Sequence, residues 1–252
     1  DTPRLRSPDG SSTVLAGPDR RLGAGPADEY PLEIPPFQAS WRRPEITTLS
    51  MKLVTVGLGL YGLRAIPMVG RIKERDQLWS ALRGAREDHG ARVVLVQGPA
   101  GCGKSRLAEW VCERAHEIGA CTILRAGHGP LEGPTDGLGP MVARHFRTAG
   151  MDWLQANARI RDRLKAFGVS DPYEWDALTE LVVPRSVPRP DGVRVVRFGS
   201  SRERWALVAR HLERIAHERP VVVWLDDAQW GVDALGFTQA LLGLTRSAPF
   251  PV

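Results

Sequence analysis

The decapeptide QGPAGCGKSR carries the spacing G-x-x-x-x-G-K-S as Gly98, Gly103, Lys104 and Ser105. Phosphate binding asks for these residue types in this order. Glycines let a backbone wrap an anion, so that the N–H groups of Gly101 to Ser105 point inward as a nest. The positive end of a helix opening at Lys104 adds to that field. Lys104 is then within reach of β- and γ-phosphates, and the Ser105 hydroxyl is a ligand for Mg²⁺. Pro99 pre-sets one turn dihedral, Ala100 and Cys102 fill variable slots, and Arg106 closes the set of cofactor-binding candidates. Composition alone gives ~0.004 expected matches to the fixed positions.

A phosphate loop that acts on its ligand also needs an acid to hold the metal. VVVWLDD supplies one: an apolar, β-branched run that presents Asp226 and Asp227 at its C-terminal end. In a parallel sheet that end is where ligands bind. Asp226 is the candidate metal partner, together with Ser105. Asp227 is the candidate for orienting or deprotonating an attacking water, with the start of the following turn as its alternative use.

A second glycine pattern, G-x-G-x-x-G at Gly57, Gly59 and Gly62 within VTVGLGLYGLR, carries less information. Its chance expectation is ~0.3 per chain of this glycine content. Pro67 and Gly70 interrupt the helix that a dinucleotide-binding turn would open. It reads as a connector.

The elements that must position these residues follow from periodicity. ARVVLVQ, ACTILRA and VVVWL are short, continuously apolar runs, as buried parallel strands are. The first is placed at Val93 to Val96, directly before the glycine loop. Ile72, Leu78, Leu82 and Ala85 make a helical stripe, as do Leu107, Val111, Ala115 and Ile118, with Gly119 as C-cap. Trp205, Val208, Leu212 and Ile215 mark a helix stopped by Pro220, and a last one covers roughly 232–244. Residues 128–200 hold helical patches around Trp153, Ile160, Leu164 and Phe167, broken by the Pro-rich stretch 184–190. Strands alternating with helices predict an α/β fold with a parallel sheet covered on both faces. Residues 1–65 are Pro- and Gly-rich and predict a linker or the tail of an upstream domain. The folded domain is expected over residues 66–252.

Composition excludes several classes. The 252 residues carry a net charge of +5, with four lysines among 34 basic residues. The basic residues are dispersed among acids, which disfavours a nucleic-acid surface. Three cysteines without C-x-x-C spacing argue for a reducing compartment. No stretch reaches the ~18 apolar residues of a membrane span. Six histidines without H-E-x-x-H or cysteine partners give no zinc site, and the scattered tryptophans read as core. The sequence starts at Asp1 and stops after SAPFPV, which predicts a fragment of a longer protein.

PMVGRIKERDQLW, VLVQGPAGCGKSRL and PVVVWLDDAQWGVDAL together resemble the N-terminal signatures of AAA-like P-loop ATPases of the STAND class, including the origin-recognition-type AAA domains of bacterial regulators. The resemblance implies a three-layer α/β sandwich with an added strand between the two nucleotide motifs. It implies Gly70 and Arg71 beside the adenine, with the backbone of Val69 contacting the base. It further implies a cytoplasmic signal-transduction switch driven by ATP and ADP states, with other domains of the chain and homo-oligomer partners. The family's sensor strand, arginine finger and lid would lie beyond Val252. PPFQASWRRPE and LGLYGLRAIPMVGR are similar to the junction in bacterial fusions of a Ser/Thr protein kinase with such an ATPase. The expected function is ATP·Mg²⁺ binding with slow hydrolysis. The rival is a nucleotide-holding interaction module that does not turn over.

Overall fold

Two segments of the chain, ACTILRA and PVVVWL, meet the requirements of buried strands, and each becomes one. In a computed structural model, β3 (Thr122–Ala126) and β4 (Val221–Leu225) pair in parallel, with Thr122 opposite Val221 and Ala126 opposite Leu225. The structure describes Met68 and residues 70–252 except Glu132. It also describes the backbone of β1 (Arg4–Arg6) and β2 (Ser12–Val14), a short antiparallel pair. Val69, the glycine triplet of Val54–Arg64 and most of the expected linker lie outside the described residues.

Seven α-helices of the described residues surround the parallel pair: α1 (Ile72–Glu87), α2 (Lys104–Glu117), α3 (Leu138–Phe146), α4 (Trp153–Ala166), α5 (Pro172–Val182), α6 (Ser201–Glu218) and α7 (Val232–Ser247). Side chains of a strand alternate between faces, and here the two faces feed separate cores. Leu124, Ala126 and Val221 join α3 to α7 around Met141, Ile160, Leu178, Leu212 and Phe237. Ile123 and Val222 instead pack against Trp79, Trp110, Val111 and Ala115 of α1 and α2. Each fully buried Leu, Ile or Phe contributes roughly 1.5–3 kcal/mol.

Helix limits follow local chemistry. Asp152 and Gln155 form a capping box at α4, satisfying two otherwise unpaired N–H groups. Asp171 caps α5, with Pro172 in the first turn. After α2, Gly119 takes φ 68°. Its N–H bonds His116 O and that of Ala120 bonds Ala115 O, the paired closure that a left-handed glycine permits.

Two expectations need correction. Val93 to Val96 forms no strand: Val93, Val94 and Leu95 are 56%, 47% and 70% exposed. The segment lacks a ladder partner. Arg92 donates its N–H to Val252 O (2.8 Å), and Val221 donates to Pro251 O (3.0 Å). The Pro251–Val252 dipeptide thus sits between this segment and β4 at one level, and no described residue bridges them beyond it. A strand is stabilised by cross-strand partners, which an apolar pattern does not itself provide. The helical stripe of α1 holds at Leu78, Leu82 and Ala85 but fails at its first position. Ile72 is exposed, while Arg75, Trp79, Leu82 and Ala85 are buried.

Candidate functional site: a glycine loop facing an acidic strand end

The loop begins where the unladdered segment ends. Gly101 and Gly103 take φ 75° and 89°, conformations costly for any residue with a Cβ. Gly103 stands at the head of α2, whose first turn has no side-chain cap and no acid. The N–H groups of that turn therefore keep their positive field for an anion. Gly98 packs under Cys102: a Cβ placed on it would stand 2.8 Å from the Cys102 sulfur. Lys104 Nζ lies across its own loop, donating to the carbonyls of Gly98 (3.0 Å) and Pro99 (2.9 Å). Ala100 is exposed at the loop tip.

The acidic strand end meets the loop. Ser105 Oγ donates to Asp226 Oδ1 at 2.8 Å, across 121 positions of sequence. Asp226 continues the parallel ladder through its N–H to Ala126 O (2.8 Å). Its Oδ2 accepts from Arg125 of β3 at 2.6 Å. His128 Nδ1 lies 2.8 Å from the Asp226 carbonyl, which makes Nδ1 the protonated nitrogen. Asp227, at φ 52°, is exposed, makes no side-chain cap to the 3₁₀ turn Ala228–Trp230, and accepts from Gln229 Nε2 at 3.2 Å.

Arg71 links the third motif to this centre. It donates to Cys102 O (3.1 Å) and to Glu74 (3.0 Å). Gly70 beside it takes φ 70°. Buried Arg75, whose charge rather than its position on α1 would place it among exposed residues, donates to the Met68 carbonyl and stacks on Trp110 at 4.7 Å. It thereby anchors the chain entering at Gly70. Arg106 pairs with Glu109 (2.7 Å) and Glu113 (3.5 Å) along α2. Burial pushes the thiols of Cys112 and Cys121 up to about 11 and about 12, so both stay protonated and inert.

The donor set fits a magnesium nucleotide. An uncapped helix start, two left-handed glycines, a lysine, and a hydroxyl within 2.8 Å of a carboxylate are the groups that phosphates and a hard cation require. A cleft of about 1260 Å³ among the described residues lies elsewhere. It runs from His128 and Trp230 past Leu181 and Arg189 to Phe198 and contains none of the loop residues. Asp233 serves the fold beside it, accepting from Arg204 (3.2 Å) and Trp205 Nε1 (3.1 Å).

Residues 67–251 match the AAA ATPase domain family, and the chain belongs to it. Membership of this family supports a P-loop ATPase module that binds nucleotide. No curated protein and no solved structure matched the chain. No described helix is long and apolar enough to cross a membrane.

Proposed function

We propose that the chain binds ATP or ADP with Mg²⁺ in the glycine loop and hydrolyses ATP slowly, as a switch that reports its nucleotide state to other domains and to further copies of itself in the cytoplasm. The supporting observation is the 2.8 Å contact between Ser105 Oγ and Asp226 Oδ1 at the head of α2. Within this reading the two sheet faces, each covered by helices, belong to a three-layer sandwich of the STAND class, with Val69, Gly70 and Arg71 beside the base. A kinase domain upstream in the same polypeptide remains part of the proposal.

The residues divide the work. Backbone N–H groups from Gly101 to Ser105 receive phosphate oxygens. Lys104 leaves the Gly98 and Pro99 carbonyls to offset charge that develops on the γ-phosphate. Ser105 and Asp226 would hold Mg²⁺, which would supply positive charge to offset that of the phosphates. Asp227 orients the attacking water.

A second reading is a module that holds nucleotide without turnover. It is favoured by the Asp227 carboxylate being exposed and engaged with Gln229. Titration of ADP against Lys104→Ala tests the binding site: at least about tenfold weaker affinity is expected for loss of a charge-assisted contact. Unchanged affinity would refute the loop assignment. Phosphate release from ATP separates the two readings, and Asp227→Asn should lower release while leaving ADP affinity within about twofold.

A further inference from the structure

Arg125 stands out as the charged residue of β3 for which the site described above has no use. It is in register with Trp224 of β4, and its guanidinium lies 3.9 Å from the centre of that indole ring. From this platform it donates to Asp226 Oδ2 at 2.6 Å, while Ser105 holds the other oxygen at 2.8 Å. The carboxylate is 16% exposed and the arginine side chain 50%. Both oxygens of the metal-binding acid are therefore engaged, and one of them already faces a full positive charge.

We infer that Arg125 guards Asp226 and passes its guanidinium to the phosphates of an arriving nucleotide, so that divalent metal enters this site only in company with nucleotide. The inference rests on the nucleotide reading proposed above. Its physical basis is competition. A carboxylate paired with a guanidinium has its charge offset, and a cation approaching alone is repelled by the same group. Phosphate oxygens offer the planar guanidinium an equivalent bidentate partner. The indole beneath keeps the stem in place while the half-exposed head group changes partner. Arg125 is thus a positioning residue, acting on metal and nucleotide through Asp226.

Two binding measurements test it on the protein as it stands, neither of them an activity. The first is Mn²⁺ alone, followed by the spectrum of the free ion; the second is ADP in EDTA. Wild type should bind Mn²⁺ alone no more tightly than Asp226→Asn does. Arg125→Gln should bind Mn²⁺ alone at least about tenfold more tightly than wild type, and metal-free ADP at least about fivefold more weakly. Arg125→Met keeps an apolar stem on Trp224 and is read in the same assays should the glutamine variant fail to fold. Metal affinity within twofold of wild type overturns the guard, and metal-free ADP affinity within twofold overturns the hand-over. Lys104→Ala separates the layers: intact ADP affinity in that variant removes the nucleotide reading itself, whereas a failure confined to Arg125 removes this inference alone.

Discussion

Acid should weaken this fold through one fully buried and one half-buried imidazole, on α6 and α3. His211 of α6 is fully buried and stacks on Phe146 of α3 at 4.5 Å; His145 meets it edge-on at 5.1 Å. Neither nitrogen of His211 has a hydrogen-bond partner among the described residues. Burial lowers the His145 pKa from 6.5 to about 4, with Arg163 and Arg219 adding in the same direction. It lowers His211 well below 6.5, with His145, Arg214 and Arg163 adding. Both rings are neutral in the native state, whereas the unfolded chain protonates them near 6.5. The unfolded state therefore binds more protons below that pH, and stability falls as pH drops from 6.5 toward about 4. Each unit costs about 1.4 kcal/mol per ring, so His145 alone removes up to about 2 kcal/mol by pH 5, and His211 adds to the slope. Against a total of roughly 5–15 kcal/mol this is a visible loss. Urea midpoints at pH 7.5 and pH 5, for wild type and for His211→Leu, measure it. The leucine variant should show the smaller drop. An identical drop in both proteins would refute the argument.

Other expectations concern packing and the corrected segment. Glu174, nearly buried, accepts both Arg214 nitrogens at 2.6 and 3.0 Å; Glu174→Gln should cost roughly 2–4 kcal/mol in urea unfolding, since it leaves a partly buried arginine uncompensated. A Cβ on Gly139 would stand 2.7 Å from the Leu181 carbonyl of α5, so Gly139→Ala should lower stability by roughly 1–3 kcal/mol, and a neutral result would contradict the α3–α5 approach. Leu95→Lys should change the urea midpoint little, within about 0.5 kcal/mol, because Leu95 is exposed; a loss of several kcal/mol would mean that 93–96 is a buried strand after all.

What was legible in the sequence was whatever depends on local chemistry. The glycine loop could be read because each of its positions has a requirement of its own: conformational freedom at Gly101 and Gly103, charge at Lys104, a hydroxyl at Ser105. The helix heads at Asp152 and Asp171 are equally local in their chemistry, but the sequence reading did not single them out. β3 and β4 were legible as apolar runs, but the equally apolar Val93–Val96 was not a strand, because pairing is decided by what lies alongside. Arg125 escaped notice for the same reason. Only the register that sets it opposite Trp224 brings its head group to Asp226. The region 128–200 was obscured by proline and glycine interruptions, and by Glu174, a charged residue buried because α6 supplies arginines to meet it.

The bonds from Arg92 to Val252 and from Val221 to Pro251 have a mechanical consequence. They join the segment leading into the glycine loop to the sheet at one level, like the pin of a hinge. Past that pin, α2 is held by packing around Trp79 and Trp110 and by the Ser105–Asp226 contact. The acidic strand end is thus held in place by the β3–β4 ladder, whereas the glycine loop borrows its position from α2, from Arg71 and from the one Ser105 contact across to Asp226.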